Sequence, residues 1–315
     1  MPLSLRRGTV TAVRERHERL VRLEVDGVPC VAYPRLTGPV EEGDEVIVNV
    51  QARELGLGSG GFDVLLANLT RGLELPPAER AHVIKLPYTP LQHAVRHAEE
   101  DGPLAETLAG LPVVCCTLHS QVAPVWAGLG RDHRVAYVQL EGGALPVSLS
   151  DTVRALGLTS VAVGACFDGD VQAVSVASAL AWVAAAGFDA AICSVGPGIA
   201  GTGTALGHGA VSAAVAANAA TALGGRPVLA VRVSEADGRD RHRGVSHHTR
   251  AVLDLCLGAV TVAWPDEVDT TGWEEACAGL PLSHMGRGPD ADPAFFAAAF
   301  AAGLVAHGLV GESTA

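Results

Sequence analysis

The sequence predicts an α/β fold, with a doubly wound, mainly parallel sheet and helices on both faces, preceded by a small N-terminal β-barrel or sandwich. From Leu111 onward, short apolar runs alternate with longer Ala- and Leu-rich periodic segments, which is typical of a parallel sheet. Before Leu111, alternating or β-branched runs recur between turn signals such as Asp26-Gly27, which is typical of a small barrel or sandwich. The predicted organisation is a β domain over residues 1–72, a helical connector over 73–110 and the doubly wound domain over 111–315.

Each predicted element follows from its local pattern. The β domain contains five predicted strands, at Gly8–Val13, Leu20–Val25, Val28–Tyr33, Glu45–Val50 and Phe62–Leu69. The connector contains two predicted helices, at Pro76–Val83 and Pro90–Glu100. The strands predicted in the α/β domain are Pro112–Thr117, Val135–Leu140, Ser160–Ala165, Asp189–Val195, Pro227–Val233 and Ala259–Ala263. The helices predicted there are Gln121–Leu129, Leu149–Leu156, Val171–Ala186, His208–Leu223, Ser246–Leu257 and Pro293–Gly308.

Composition and charge exclude several classes of protein. The chain has 315 residues, of which 49% are hydrophobic, and such a chain buries a core instead of remaining disordered. Its formal net charge of −12 excludes binding of nucleic acid or anionic lipid by bulk electrostatics, so a bound anion must meet a local positive site. Seven cysteines without a CxxC pair are typical of reduced thiols, and we expect a cytoplasmic protein.

The most apolar region extends from Val171 to Gly225, where Asp189 is the only charged side chain apart from the titratable His208. Glycines at position 187 and throughout Gly196–Gly209 divide this region into pieces shorter than the roughly 20 apolar residues of a spanning helix. Helices that are apolar on all sides fit the interior of a layered domain or a subunit interface. We therefore expect no membrane span, and we expect a homo-oligomer.

Polar residues follow the predicted parallel strands at their carboxyl ends. His119 follows the first strand, Asp168 and Asp170 follow the third, and the glycine loop (Gly196–Gly209) follows the fourth. Because the carboxyl ends of parallel strands meet at one edge of a sheet, we expect a ligand site at this edge.

The glycine loop is the first candidate binding segment. Its first half fits G-x-G-x-x-G, but no acid follows at the spacing of a dinucleotide fingerprint, and no Gly-Lys-Ser/Thr is present. Such a loop exposes backbone N–H groups, and threonine hydroxyls add further donors, so an anion or phosphate cradle is one interpretation. Close packing of helix and strand and a glycine-rich genome composition are the alternatives. The cradle residues predicted are Gly196, Gly198, Gly201, Thr202, Gly203 and Thr204.

The second candidate segment is Asp237–Arg250, the most polar part of the chain. Ser246 is placed as the N-cap of a helix, and arginines beside a helix N-terminus bind carboxylate or phosphate. The predicted anion-binding residues are Arg241, His242, Arg243, Ser246 and His248, and His247 is a predicted catalytic residue. Metal binding by the histidines with Asp237, or a solvated loop, are the alternatives. Because adjacent helical residues point about 100° apart, at most one of His247 and His248 is expected to join His242.

Three further residues are predicted to be catalytic. Asp168 and Asp170 form a D-x-D at a strand end, which suits Mg²⁺, Mn²⁺ or a general base, so one interpretation is a divalent cation there. Alternatively, Asp170 caps the helix predicted to begin at Val171. His119 is a candidate acid or base, with a hydrogen-bonded structural histidine as the alternative.

Several phrases of the sequence resemble an uncharacterised bacterial family that is known as a domain of unknown function. They are Lys85–Gln92, Gly143–Pro146, Phe167–Asp170, the GPGIxGTGT loop at Gly196–Thr204 and the RHxGxSHHT motif at Arg241–Thr249. The resemblance covers most of the chain, from the β-rich start to beyond Thr249. It implies no known activity, substrate or cofactor.

These observations favour an enzyme that binds a small anionic metabolite at the carboxyl edge of the sheet. Group transfer or hydrolysis is favoured over redox chemistry because the dinucleotide fingerprint is incomplete. A ligand-binding or sensor protein that uses the same crevice without chemistry is the first alternative. An oligomeric scaffold is the second.

Overall fold

The computed structural model describes residues 3–56, 61–71, 74–76 and 78–311. The chain forms two units, Met1–Ala94 and Val95–Ala315. The domain boundary predicted between residues 72 and 73 lies outside the described residues. The predicted α/β fold with a small N-terminal barrel is confirmed.

The first unit contains a closed barrel with the strand order β1-β2-β3-β5-β4. Its strands are β1 (Leu5–Arg16), β2 (Val21–Val25), β3 (Val28–Ala32), β4 (Glu45–Asn49) and β5 (Asp63–Asn68). Two short helices, α1 (Pro34–Thr37) and α2 (Gln51–Glu54), lie between β3 and β4 and between β4 and β5. β3 and β5 are parallel, and this strand order is the topology of an OB-fold.

The barrel core forms because apolar residues alternate along the strands. Val21, Leu23 and Val25 of β2 are buried together with Val46 and Val48 of β4. The outer surface carries arginines that are paired with glutamates. These pairs are Arg6–Glu54 at 2.6 Å, Arg7–Glu45 at 2.7 Å, Arg14–Glu24 at 2.9 Å and Arg16–Glu41 at 3.0 Å.

The segment predicted as a helical connector is not helical where the structure describes it. β6 (Val83–Lys85) and β7 (His93–Val95) form a two-stranded sheet, and a single 3₁₀ turn covers Ala98–Glu100. The helices predicted over Pro76–Val83 and Pro90–Glu100 are therefore wrong. The physical reasons are local, because Arg80 in the first predicted helix has a positive φ angle of 56°, which a right-handed helix does not contain, and His93–Val95 in the second pairs with β6 as a strand.

The second unit is a doubly wound domain around a seven-stranded sheet. Its strands and ribbon are β8 (Pro112–Cys116), β9 (Val135–Leu140), β10 (Thr159–Val163), β11 (Val171–Ala173), β12 (Ala190–Val195), β13 (Arg226–Ala230), β14 (Val233–Ser234), β15 (Gly244–Val245) and β16 (Thr261–Ala263). The sheet order is β11-β10-β9-β12-β8-β13-β16. Every pair of neighbouring strands in it is parallel.

Helices cover both faces of this sheet. They are α3 (Val122–Leu129), α4 (Asp151–Leu156), α5 (Val176–Ala185), α6 (Ser212–Ala222), α7 (His247–Leu255), α8 (Trp273–Ala276) and α9 (Pro293–Leu309). Residues of α3, α4 and α9 share one core with the sheet, and residues of α5, α6 and α7 share the other. Where α3 meets α9, a Cβ at Gly303 would lie 2.7 Å from the Cα of Gly128, so this contact requires glycine.

Two predicted helices begin later than expected. Val171–Ala173 is the edge strand β11, and α5 begins at Val176 behind the N-cap Ser175, whose hydroxyl accepts a hydrogen bond from the Ser178 N–H at 3.1 Å. The predicted capping role of Asp170 is therefore wrong. Before α6, Gly209–Val211 forms a 3₁₀ turn. Among the described residues, no helix is both long and apolar enough to cross a bilayer.

The strand order places a crevice near the middle of the sheet. β12 and β8 are neighbours in the sheet. The connection after β8 runs in one direction across the sheet, to β9, and the connection after β12 runs in the opposite direction, to β13. Adjacent strands whose connections run in opposite directions form a crevice outside their carboxyl ends, where ligands bind in open α/β sheets.

Candidate functional site

The candidate site lies at the carboxyl ends of β12, β8 and β13. β12 leads into the glycine loop, which ends with His208 and Gly209. β8 leads to His119 and Ser120, and β13 leads to Arg232. The short antiparallel ribbon β14–β15 pairs Val233 with Val245. The ribbon encloses a loop between its two strands, and α7 begins directly after the ribbon. The loop carries Asp237, Arg239, Arg241 and His242.

Four imidazole rings meet here, and we call His208, His242, His247 and His248 the histidine cluster. His208 stacks on His248 with ring centroids 3.8 Å apart. The His242 ring lies 4.8 Å from that of His247 and 4.9 Å from that of His248. The expectation that at most one of the adjacent histidines joins His242 is wrong. Their own rings are 4.6 Å apart, because side-chain torsions bring the two rings together despite their separation around the helix.

Ser246 fixes one side of the histidine cluster. Its hydroxyl oxygen accepts a hydrogen bond from the His248 N–H at 3.2 Å, which confirms Ser246 as the N-cap of α7. The same hydroxyl lies 2.8 Å from Nδ1 of His242. Ser246 is fully buried, so its O–H needs an acceptor, and Nδ1 of His242 is placed to accept it. Ser246 therefore orients both the helix and a ring of the cluster.

Other nitrogens of the histidine cluster are open. Nε2 of His247 is buried without a hydrogen-bond partner, and the buried ring nitrogens of His208 have none apart from the Ala205 backbone. A buried polar atom left unsatisfied costs roughly 1–3 kcal/mol, and in native proteins such atoms usually meet a ligand, an ion or a water. Burial also lowers the pKa of His208 and of His247. It lowers the pKa of His242 to about 3 and that of His248 to about 2. All four rings are thus neutral near pH 7.

Behind the rings lies an arginine cluster, formed by Arg232, Arg239 and Arg287. The Arg232 side chain is only 2% exposed, and its Nη1 lies 3.1 Å from Nδ1 of His248. Its Nη2 donates to Asp237 at 3.4 Å, and its Nε has no partner. Burial lowers the pKa of Arg232 to about 10, so the guanidinium remains charged at neutral pH.

Two buried carboxylates oppose the arginine cluster. Asp237 accepts from Nε and Nη2 of Arg239 at 2.9 and 2.8 Å, and these bonds hold its pKa well below its usual range. Asp292 accepts from Arg287 at 3.2 Å and from the Ser234 hydroxyl at 2.6 Å. Three guanidinium groups thus face two carboxylates, which leaves a local excess of positive charge in an acidic chain.

Arg241 brings the two predicted binding segments together. Its Cζ lies 4.0 Å from the position that a Cβ at Gly203 would occupy, so it faces the glycine loop. It is also close enough to lower the pKa of His247. Arg241 is exposed and forms no ion pair among the described residues. Arg243, by contrast, points to Asp240 at 3.7 Å, and both side chains are exposed.

The first half of the glycine loop is shaped by close backbone packing. A Cβ at Gly196 would overlap the carbonyl oxygen of Ala144, and a Cβ at Gly209 would overlap that of Gly142. The Ala200 N–H donates to the Gly142 carbonyl at 3.0 Å. Gly198 has a φ of 73°, which favours glycine. Close packing against the backbone of the loop at Gly142–Ala144, and not the packing of helix and strand given as an alternative, therefore explains these glycines.

The tip of the glycine loop closes on itself. The Thr202 and Thr204 hydroxyls are 2.9 Å apart, and that of Thr204 accepts from the Gly207 N–H at 3.1 Å. A Cβ at Gly201 would lie 3.2 Å from the Cβ of His208. The threonine hydroxyls are thus already engaged within the loop, and a cradle at Gly201–Thr204 stays a prediction.

His119 is held as a neutral histidine. Its Nδ1 lies 3.2 Å from both the Val195 carbonyl and the Tyr137 hydroxyl, and its Nε2 lies 2.7 Å from the Ser150 hydroxyl. Burial lowers its pKa to about 4. The two ring nitrogens are thus within hydrogen-bonding distance of residues in β12 and β9 and of the N-cap of α4. This geometry favours the interpretation of His119 as a hydrogen-bonded structural histidine.

Asp168 and Asp170 lie towards the other side of the sheet. The Asp170 carboxylate accepts from the Ser160 N–H at 2.8 Å and from the Ser160 hydroxyl at 2.7 Å. Asp168 is buried with a φ of 64°, a conformation that is uncommon for a residue other than glycine. Both residues follow β10, which is two strand positions from β12 and four from β13. A divalent cation at this pair stays a prediction.

The histidine cluster, Arg232 and Arg239 lie within the part of the chain that matches a known sequence family, whereas Arg287 lies beyond it. A family model, described as a protein of unknown function (DUF3866), matches residues 29–276. The chain belongs to the DUF3866 family. The family resemblance predicted from the motifs is thereby confirmed. None of the curated proteins compared with the chain matches it.

The DUF3866 match includes two site residues that the sequence analysis missed, His208 and Arg232. The sequence places His208 at the end of the glycine loop and at the start of a predicted helix, and a histidine between glycines after a strand is the signal that points to the site. Arg232 was placed inside the predicted strand Pro227–Val233, where a lone arginine in an apolar run was the signal. The strand ends at Ala230, so Arg232 belongs to the site.

Proposed function

We propose that this protein is an enzyme that binds a small anionic metabolite at the carboxyl end of its parallel sheet, for group transfer or hydrolysis. One observation carries the proposal. An excess of guanidinium groups over carboxylates surrounds buried polar nitrogens that have no hydrogen-bond partner.

The charge balance supports an anion over a neutral ligand. Within the described part of the chain, Arg232, Arg239 and Arg287 form ion pairs only with Asp237 and Asp292, and Arg241 adds another positive charge beside the cluster. The buried guanidinium of Arg232 has lost most of its hydration, and a ligand carboxylate or phosphate would replace it with charge-assisted hydrogen bonds.

The first turn of α7 adds a second attraction for an anion. This helix begins at His247, within the histidine cluster. The N-terminus of a helix carries a partial positive charge and backbone N–H groups that favour negative ligands. The adjacent neutral rings of His208 and His247 offer N–H donors without adding charge.

Of the predicted catalytic residues, His247 lies in the histidine cluster. His119 and Asp170 have polar atoms engaged in structural hydrogen bonds. This engagement is the observation that favours the second candidate function, a ligand-binding or sensor protein without chemistry. The two candidates share the site and differ in whether a bound metabolite is converted.

The setting of the protein is part of the proposal. The seven cysteines, all within the described residues, form no disulfide and all but Cys256 are buried, which supports a reducing, cytoplasmic location. The Asn218 amide donates to the Leu255 carbonyl at 3.1 Å and accepts from the Leu257 N–H at 2.8 Å. The side chains of Val215, Leu255 and Leu257 are exposed, and this apolar surface supports a homo-oligomer. Pairing of the barrel arginines with glutamates supports the expectation that nucleic acid is not a partner.

A thermal-shift screen tests the proposal. The panel contains nucleotides, coenzyme A, nicotinamides, sugar phosphates and carboxylates. A ligand at 100 times its Kd stabilises the folded state by about 2.7 kcal/mol. We expect at least one of these compounds to raise the melting temperature of the wild type and of Arg243→Gln, a matched control two residues away, but not that of Arg241→Gln. Assay of the hit for turnover then separates the enzyme from the sensor. Equal shifts in both variants, or no shift with any anion, would refute the proposal.

A further inference from the structure

We propose that His208, His247 and His248 bind a transition-metal ion, most suitably Zn²⁺, beside the anion site. This inference goes beyond the proposed function because a metal can bind whether or not an anion does. Each of the three residues offers a ring nitrogen, and these nitrogens all lie within 4.8 Å of one another.

The geometry is close to that of a zinc site. A tetrahedral ion with Zn–N bonds of about 2.0–2.1 Å holds its ligand nitrogens roughly 3.4 Å apart. The nitrogens therefore need to approach one another by up to about 1.4 Å, and the stacked His208 and His248 rings have to turn so that their in-plane lone pairs meet at the ion. The three histidines come from two separate segments, the end of the glycine loop and the first turn of α7, so the ion would tie these segments together.

The unsatisfied nitrogens point to the same conclusion. His208 is 5% exposed, and apart from the Ala205 backbone its ring nitrogens have no hydrogen-bond partner. Nε2 of His247 is also buried and unpartnered. Two neighbouring rings with unused lone pairs are costly in an empty site, whereas coordination to a metal uses them.

The ligand type selects the ion. The three ligands are all imidazoles, which suit Zn²⁺, Cu²⁺, Ni²⁺ or Co²⁺, whereas Mg²⁺ and Ca²⁺ prefer oxygen. A site with three protein ligands leaves one position open, as in catalytic zinc sites. An anion at that position is favoured because its negative charge offsets the positive charge of both the metal ion and the nearby guanidinium groups. An ion so placed polarises a carbonyl or phosphoryl oxygen of the metabolite.

His248 has to change its hydrogen bonding for this to occur. Arg232 lies 3.1 Å from Nδ1 of His248 and donates to it, which places the proton of the neutral ring on Nε2. Neither nitrogen of that ring then has a free lone pair. Metal binding thus requires Arg232 to release His248, and the released guanidinium becomes available to the anion.

Equilibrium dialysis of the full-length protein against Zn²⁺ tests the inference. The protein is first stripped with a chelator, and bound zinc is measured by elemental analysis. We expect one tightly bound ion per chain. In His208→Gln, the affinity should fall by more than about 100-fold, since even partners outside the ligand shell are worth roughly 10–100-fold. Co²⁺ in the same site should give visible d–d bands that are absent in the variant.

The control variant is His133→Gln, because His133 and His307 form another histidine pair, with Nε2 and Nδ1 3.1 Å apart. This variant should bind zinc like the wild type. If His208→Gln does not fold, the half-buried His247→Gln provides the same test. Zinc binding that is absent, or unchanged in both cluster variants, would overturn the inference. Phosphate binding by the metal-free protein is measured in parallel. If the metal-free protein does not bind phosphate but the protein still binds zinc, only the proposed function is refuted. If it binds phosphate but the protein does not bind zinc, only the metal site is refuted.

Discussion

Asp237 balances the arginine cluster, and Asp237→Asn tests how much this balance stabilises the domain. The Asp237 side chain is 3% exposed and lies 2.8 Å from Arg239, 3.4 Å from Arg232 and 3.9 Å from Arg287. The substitution leaves three guanidinium groups against Asp292 alone. Breaking a buried ion pair by removing one partner costs roughly 3–5 kcal/mol. Arg239 is 40% exposed and regains water, so we expect a value near the lower limit, about 3 kcal/mol.

The pH dependence has a definite sign. The pKa of Asp237 is lowered in the folded state, mainly by the hydrogen bonds from Arg239. Its stabilisation is therefore complete above the pKa of the unfolded carboxyl group, about 3.9, and is lost as the pH falls below that value. The difference between wild type and Asp237→Asn should be constant from about pH 8 to pH 5 and should shrink below about pH 4.

Urea unfolding monitored by tryptophan fluorescence measures this difference. All four tryptophans, Trp126, Trp182, Trp264 and Trp273, lie in the second unit, so the signal reports on the domain that contains Asp237. The control is Asp240→Asn, whose side chain is 96% exposed and lies 3.7 Å from Arg243, and which should unfold like the wild type. A loss below about 1 kcal/mol for Asp237→Asn, or equal losses in both variants, would refute the role given to Asp237.

Three further predictions concern single positions in the second unit. His119 has a folded-state pKa of about 4, below the unfolded value of about 6.5. The free energy of unfolding of the wild type should therefore fall by roughly 3 kcal/mol as the pH falls from the higher to the lower of these values, and urea unfolding of His119→Gln should show a weaker dependence on pH. Gly209→Ala should cost about 1–3 kcal/mol because its Cβ would overlap Gly142, whereas Gly238→Ala has open space and should leave the melting temperature unchanged or higher. In α9, Gly303→Ala should lower the melting temperature through its contact with α3, whereas Gly308→Ala, in open space, should raise it by helix propensity. Equal effects within either glycine pair, or equal pH slopes for His119→Gln and wild type, would contradict these assignments.

The architecture was predictable because periodicity records burial directly. β9 has the predicted bounds, Val135–Leu140, and all six of its residues are buried. Where propensity and tertiary context disagree, the prediction fails. Val171–Ala173 continues into apolar helical residues in sequence, but it pairs with β10 and becomes an edge strand. Strand order was not predictable, because it depends on contacts between distant segments.

The site was predictable in part for the same reason. The polar segment and its predicted helix N-cap Ser246 indicated Arg241, His242, His247 and His248, and the structure places this segment after β13, where a parallel sheet brings strand ends together. The sequence did not show that His208 stacks on His248 across 40 residues of sequence. Nor does a sequence reveal that the Ser150 and Ser160 hydroxyls form hydrogen bonds with His119 and Asp170. Hydrogen bonds between distant residues decide which polar groups remain available.

The location of a bound oxyanion tests the central claim most directly. Crystals of the wild-type protein grown with tungstate, an analogue of phosphate, mark the anion by anomalous scattering. The account predicts a peak within hydrogen-bonding distance of Arg241 and the first turn of α7, next to the histidine cluster. A peak found only elsewhere on the surface, or none at a concentration that saturates other oxyanion sites, would contradict the assignment of this sheet edge as the binding site.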